Sequence, residues 1–366
     1  MKDNNMKIGI DVSQVVYGTG VSRYTKNLVE AMLLLDEKDH FVFFGGAVRR
    51  QHEMREYLKS LGSLKSRKIF APMSPKMADF IWNRVHRLHI EKLIGRVDVF
   101  HSSDWTQPPS NAFKVTTIHD LSPIKFPKLT PARIVETHRQ RLEWVKKEVD
   151  RIIVPSQSIM DDLVSMKFDK DKIRVIHEAA DEVYKPQSKQ LIALVRTKYS
   201  ITKNYLLAVG TNPRKNNERI VKAFKKLAKD VPLELVIVGN RPKDWKDVEG
   251  VKILGHVPEN DLPALYSGAS ALVYPSLYEG FGLPILESFA CKTPVVTSDC
   301  GSMAEIGKGA AVLVDPESVE SIVKGITKVL TKRSDYILKG MKRVKEYSWK
   351  KAARETLGVY KEGMDN

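Results

Sequence analysis

The stretch "SALVYPSLYEGFGLPILESFACKTPVVTS", Ser270–Ser298, decides the fold. An apolar, β-branched run, "SALVYPS", reads as a strand, and "TPVVTS" reads as another. Between them lie a Gly280-Phe281-Gly282 turn and a segment of helical period that carries Pro284, a residue suited to the first turn of a helix. Strand, helix and strand in this order form a β-α-β unit, whose two strands run parallel in one sheet.

The same alternation continues on both sides. "KIGID", "FVFF", "DVFHSS", "VTTIHD" and "RIIVPS" form one series, and "YLLAVG", "LELVIVG", "VKILG" and "AAVLVD" extend the other. The first series ends near "KIRVIHEAADEVYKP", and a polar helical stretch, "YKPQSKQLIALVRTKYS", separates the two. This predicts an α/β chain of two Rossmann-like, doubly wound parallel-sheet domains, joined by a connection over 183–199. Ligands of open α/β sheets sit beyond the carboxyl ends of the strands, so two facing sheets would create a cleft.

A length of 366 residues suits two domains, and a hydrophobic content of 42% is ordinary for a folded chain. No apolar run reaches the ~18 to 20 residues of a membrane span, and "MKDNNMKIGID" lacks the apolar core of a signal peptide. The expected location is therefore cytoplasmic. Cys291 and Cys300 are the only cysteines, too few for a disulfide scaffold, and read as reduced thiols in or near a core. The formal charge of +16 points to an anionic partner: nucleic acid, anionic lipid or a phosphorylated small molecule. Residues 1–180 and 181–366 each hold 30 basic and 22 acidic residues, so each carries +8. With the excess spread evenly, and no basic block interleaved with aromatics, no nucleic-acid partner is expected.

Four strand-end motifs carry candidate chemistry. After the first strand, "YGTGVSRY" places Gly18 and Gly20 ahead of a helix, where backbone can approach a phosphate closely. The dinucleotide fingerprint is not met, because the third-glycine position holds Arg23 and no ribose-binding acid follows the second strand. A plain flexible loop is the competing reading. "VTTIHD" puts His119 directly after a strand, as either a structural histidine or a donor to a sugar hydroxyl or phosphate. In "AVGTNPRKNNERIV", Arg214 and Lys215 lie where a helix begins, a locally unfavourable place for cations unless an anion binds there. The alternative is a solvated surface pair. In the opening stretch, the amides of Phe281, Gly282 and Leu283 can meet an anion, and Glu287 can grip a ribose diol. Glu279 could hold another polyol.

In these residues the sequence resembles the family 4 retaining glycosyltransferases of GT-B fold. The resemblance rests on the Glu279–Glu287 spacing, the "GTNPRKN" segment, the "HD" at 119 and 120 and the "GTGVSRY" loop, and it covers essentially the whole chain. It implies a nucleotide-sugar donor, with Glu287 on the ribose and Glu279 on the donor sugar. Phe281, Gly282 and Leu283 would contact sugar and diphosphate, and Gly20 would approach the diphosphate from the other domain. Lys215 and Arg214 would neutralise that leaving group, and His119 would touch the sugar near the reacting carbon. Thr211 stands where many relatives have arginine, so Arg214 is the candidate substitute. The segment from Trp349 resembles the family's terminal helix, which packs on the first domain. The domains then read 1–182 with 349–366, and 200–346.

The expected reaction moves a hexose with retention, from GDP-mannose or UDP-glucose to a glycan or lipid-linked acceptor, in cell-envelope polysaccharide synthesis. No aspartate-x-aspartate motif follows a strand, so no divalent metal is expected. The stretch 75–96 reads as a helix rich in apolar and basic residues, which would either pack on the first sheet or lie peripherally on an anionic membrane. A GT-B epimerase or phosphorylase, and a noncatalytic basic binding protein, are the alternatives.

Overall fold

The structure is a computed structural model that describes residues 5–36, 38–62, 66–229 and 231–364. The chain divides into two compact units: Met1–Glu178 together with Trp349–Asn366, and Ala179–Ser348.

The first unit holds β1 (Lys7–Asp11), β2 (His40–Gly46), β3 (Ser66–Ala71), β4 (Val99–Ser102), β5 (Phe113–Thr117), β6 (Arg151–Val154) and β7 (Ile173–Val175). They form one parallel sheet in the order β3-β2-β1-β4-β5-β6-β7. The second unit holds β8 (Asn204–Val209), β9 (Leu233–Val238), β10 (Val251–Ile253), β11 (Ala271–Tyr274), β12 (Val295–Ser298) and β13 (Val312–Val314), again all parallel, in the order β10-β9-β8-β11-β12-β13. Both are doubly wound: the strand order reverses at β1/β4 in one sheet and at β8/β11 in the other.

Burial explains the patterns. The central strands are covered on both faces, so "LELVIV" and "ALVY" are buried at every position. β3, "SRKIFA", was not among the apolar runs, because an edge strand carrying Arg67 and Lys68 lacks that signature. In the first unit, the helix Gly20–Leu35 buries Tyr24, Leu28, Val29 and Met32 in one cluster with Ala352, Ala353, Leu357 and Tyr360 of the helix Trp349–Lys361. The 183–199 segment is no free connection. Tyr184 and Val195 are buried in the core of the second unit.

Two further expectations change. Residues 75–96 do not form one helix. They make a turn at Pro75–Ala78, a π-helical turn at Asp79–Val85, a left-handed His86 (φ 52°) and a separate turn at Glu91–Ile94. Tertiary anchors override helical period here: the Trp82 indole N–H donates to the Leu88 carbonyl at 3.0 Å, and the His86 ring stacks on Trp144 at 3.6 Å. The thiols also differ, since Cys291 is buried but Cys300 is exposed. No helix of the described residues is long and apolar enough to cross a membrane.

Candidate active site

In the second unit the loops after β8 and β11, neighbours at the point where the strand order reverses, are zipped together. The Leu277 amide donates to the Arg214 carbonyl at 2.8 Å, and the Arg214 guanidinium donates back to the Tyr278 carbonyl at 2.9 Å. Asn216, left-handed and buried, donates from Nδ2 to the carbonyls of Pro275 and Pro316. These bonds fix the Pro213–Lys215 turn, whose first amide is capped by the Asn212 side chain.

The turn delivers Lys215 to Glu279, Nζ to Oε1 at 2.7 Å, while the same ammonium donates to the Tyr274 hydroxyl at 2.5 Å. Gly210 makes room for that side chain. It has φ +91°, and a Cβ there would lie 2.8 Å from the Lys215 Cε. Burial opposes the lysine's charge, but the carboxylate of Glu279 and the Tyr274 hydroxyl outweigh it, so Lys215 holds its proton more tightly than an ordinary lysine. Burial, reinforced by Glu279, likewise keeps the Tyr274 hydroxyl protonated. The loop of Glu279 is braced from behind by Ser302, whose hydroxyl donates to the Glu279 carbonyl at 2.8 Å.

The Gly280–Gly282 turn then opens the helix Leu283–Ala290. Gly282 is its N-cap with φ 112°, a conformation that favours glycine, and Pro284 lies in the first turn. The helix start carries no acidic residue; in its first turn Pro284 has no N–H and the Ile285 amide donates to the Gly282 carbonyl at 2.9 Å, so the Leu283 amide is the first-turn donor that the helix itself does not use. Glu287, one turn further on, is buried and accepts from the Tyr266 hydroxyl at 2.6 Å. That bond orients its carboxylate.

In the first unit, His119 follows β5 and is buried. Its Nδ1 lies 3.0 Å from Oε1 of Glu178, which follows β7 and is also buried. A carboxylate accepts, so Nδ1 carries the proton and Nε2 is the ring's acceptor. Tyr24 sets its ring edge-on to His119 at 4.2 Å between centroids. Beneath lies a buried network: Thr117 Oγ1 meets the Tyr24 hydroxyl and His101 Nε2, and His101 Nδ1 meets the Tyr360 hydroxyl at 2.6 Å. Burial pushes the His101 imidazole down to about 3, so it stays neutral. Gly18 ends a short turn after β1 with φ 66°, and Gly20 starts the helix Gly20–Leu35, capped by Thr19. A Cβ on Gly20 would meet open space, so the close packing of the protein itself does not account for this glycine.

The motifs thus fall at strand ends in both units. Lys215, Glu279 and Arg214 come together, and Glu287 lies on the helix that follows. The motifs did not reveal Glu178, Tyr24, Tyr266, Tyr274 or Asn216. Tyr24, Asn216 and Tyr274 lie inside the quoted strand-end stretches and Glu178 just beyond the last strand of the first series, whereas Tyr266 had no such signal.

A family model described as glycosyl transferases group 1 matches residues 196–351, and a second, glycosyltransferase family 4, matches residues 18–183. O-antigen chain mannosyltransferase B of Escherichia coli is 28% identical, with 97% of this chain and 100% of that protein covered. O-antigen chain mannosyltransferase RfbU of Salmonella typhimurium is 31% identical over 57% of this chain and 60% of its own. Among solved structures, a sucrose-phosphate synthase of Thermosynechococcus elongatus superposes with a TM-score of 0.73 at 18% identity, covering 98% of this chain and 99% of that one. Anabaena Alr3699/HepE, in complex with UDP and glucose, superposes with a TM-score of 0.68 at 14% identity, covering 97% and 99%. The two parallel sheets and these neighbours give the GT-B fold.

Proposed function

This chain belongs to the family 4 glycosyltransferases, and from that premise we propose that it transfers mannose, with retention, from a nucleotide-sugar to a glycan or lipid-linked acceptor of a cell-envelope polysaccharide. The relatives named as O-antigen mannosyltransferases favour GDP-mannose over UDP-glucose. The observation that carries the reading is the half-buried Lys215–Glu279 pair beside the turn that opens the helix of Glu287.

The roles follow from charge. As the sugar C1–O bond to the diphosphate breaks, negative charge grows on the departing oxygens. Lys215 and the Leu283 amide that opens the helix Leu283–Ala290 stabilise that charge more than they stabilise bound donor. Arg214, tied to the Tyr278 carbonyl, supports the loop and adds positive potential. The amides of Phe281, Gly282 and Leu283 hold diphosphate and sugar, and Glu287 grips the ribose. Gly20 admits the diphosphate closely, with Gly18 setting the turn before it. His119 donates to or accepts from the donor sugar through Nε2.

The acceptor hydroxyl bonds to C1 on the face that the diphosphate leaves, and its proton passes to a phosphate oxygen of the leaving group. Glu279 orients sugar hydroxyls. Its partner Lys215 withdraws electron density from the carboxylate and makes it a poor nucleophile, unlike the free carboxylate of a retaining glycosidase. The cations beside the diphosphate support transfer without a divalent metal, and activity that survives EDTA is the expected result. The reaction is placed in the cytoplasm, with contact at an anionic membrane surface where the acceptor is lipid-linked.

The test is thermal stabilisation by GDP, UDP and their mannose and glucose conjugates, in the wild type and in Glu287→Ala and Lys215→Ala. At ~100 times its dissociation constant, the true donor stabilises by about 2.7 kcal/mol. A shift with one nucleotide family, lost in both variants, is the expected result. A folded protein with no shift from any of them would sink the proposal.

A further inference from the structure

The helix Trp349–Lys361 does more in the first unit than bury an apolar face. Ala352, Ala353 and Leu357 supply that face. Two further residues, Trp349 and Tyr360, lie about three helical turns apart and so share one side of the helix. Both lead to Tyr24 of the helix Gly20–Leu35, one to its ring and the other to its hydroxyl. The Trp349 ring meets the Tyr24 ring edge-on, at 5.7 Å between centroids and 70° between planes. The Tyr360 hydroxyl bonds to His101 Nδ1, His101 Nε2 lies 2.9 Å from Thr117 Oγ1, and Thr117 Oγ1 lies 3.3 Å from the Tyr24 hydroxyl. Tyr24 in turn sets its ring against His119, at 4.2 Å and 77°.

Core packing explains neither route. Tyr24, His101, Thr117 and Tyr360 are all buried, and a hydrogen-bonded chain in that setting brings no apolar gain over aliphatic side chains of similar size. What it brings is fixed direction. Burial keeps His101 neutral, so its two ring nitrogens play opposite roles, one donor and one acceptor. The Trp349 indole N–H is buried and has no hydrogen-bond partner among the described residues, so ring contact is what this residue supplies.

At His119 two constraints complement each other. The bond from Nδ1 to Glu178 fixes one nitrogen but leaves the ring free to tilt about it. The Tyr24 contact removes that freedom. We propose that the terminal helix orients His119, with Tyr24, Trp349 and Tyr360 as positioning residues that act through this histidine and touch no substrate. The proposal rests on the glycosyltransfer reading above, in which His119 meets the donor sugar, and adds the residues that aim it. A misplacement of about 1 Å at a reacting centre costs about 100-fold in rate, so a tilted ring matters to catalysis and little to ground-state binding.

Double-variant kinetics and histidine NMR in the full chain test this. Tyr24→Leu, Tyr24→Phe, Trp349→Leu and Tyr360→Phe are each made alone and together with His119→Ala, and GDP release from GDP-mannose is followed. Tyr24→Leu should lower kcat about tenfold with KM nearly unchanged, and Trp349→Leu and Tyr360→Phe should lower it about two- to fivefold. Tyr24→Phe, which keeps the ring, should recover most of the Tyr24→Leu loss. In the His119→Ala background none of the four should cost anything further. Losses of undiminished size there would mean that these residues act on the structure at large, and would overturn the proposal. In protein carrying isotope-labelled histidine, Trp349→Leu and Tyr360→Phe should shift or broaden the His119 ring signals, although their own partners are Tyr24 and His101. Unchanged His119 signals in both variants overturn the proposal as well. Tyr360→Phe removes a single oxygen, so it carries the test even if a larger change unfolds the unit. The NMR arm needs no turnover: a wild type that releases no GDP sinks the transferase reading with this donor, while the histidine signals still decide the positioning.

Discussion

Each unit holds a basic side chain against a glutamate beyond its strand ends, but the two pairs are built differently. Lys215 and Glu279 follow β8 and β11, which are neighbours in the sheet, and their loops are stitched together by main-chain bonds. His119 and Glu178 follow β5 and β7, which have β6 between them, and they meet through side chains. Lys215, held protonated by Glu279 and the Tyr274 hydroxyl, keeps its charge around neutral pH, so its pair is a fixed electrostatic fixture. Imidazole carries charge only conditionally, so its partner chiefly decides which nitrogen faces outward. The first arrangement suits charge neutralisation; the second suits a directed hydrogen bond.

The largest effect expected is that of Lys215→Ala. It should lower kcat by at least about 100-fold and, by leaving the Glu279 carboxylate without its counter-charge, destabilise the second unit by about 2 kcal/mol. Steady-state kinetics and thermal unfolding read the two consequences, and an unchanged rate would break the comparison at its stronger member. Glu178→Ala should reduce kcat about tenfold with donor KM nearly unchanged. Glu178→Gln, whose carbonyl can still accept from Nδ1, should recover part of the loss. If KM rises instead and kcat holds, Glu178 acts on binding and the proposed tautomer role is wrong.

Smaller still, Tyr266→Phe removes the bond that orients Glu287, and donor KM should rise about two- to tenfold. Equal KM values would mean that packing alone positions the carboxylate. The least effect separates the units by pH. His101 titrates at about 3 when folded, against an ordinary 6.5, so unfolded chain binds the proton more readily between those values. That contribution to stability is complete above about 6.5 and is lost as pH falls toward 3. The first unit should therefore melt a few degrees lower at pH 5 than at pH 7, and His101→Asn should flatten the dependence in calorimetry.

Legibility followed range of interaction. The β-α-β pattern, the positions of Lys215, Glu279, Glu287 and His119 at strand ends, and the turn at Gly282 depend on local sequence, where hydrophobic period and backbone preference act. Tyr266 reaches Glu287 across 21 positions, and Tyr360 reaches His101 across 259. No local pattern encodes such partners. The misread helix at 75–96 has the same origin: its composition suits a helix, but Trp82 and His86 are claimed by Leu88 and Trp144. β3 escaped notice for the opposite reason, since an edge strand is free to be polar.

The packing of the helix Trp349–Lys361 on Gly20–Leu35 also sets an order of events during synthesis. The second unit is continuous in sequence and can close its cores as soon as it leaves the ribosome. The first unit must wait: Tyr24, Leu28 and Met32 remain uncovered until Ala352, Ala353, Leu357 and Tyr360 have been made. Domains translated first generally fold first, but here the region translated earlier is completed last. For that interval, its apolar groove is the part of the nascent chain most in need of a chaperone.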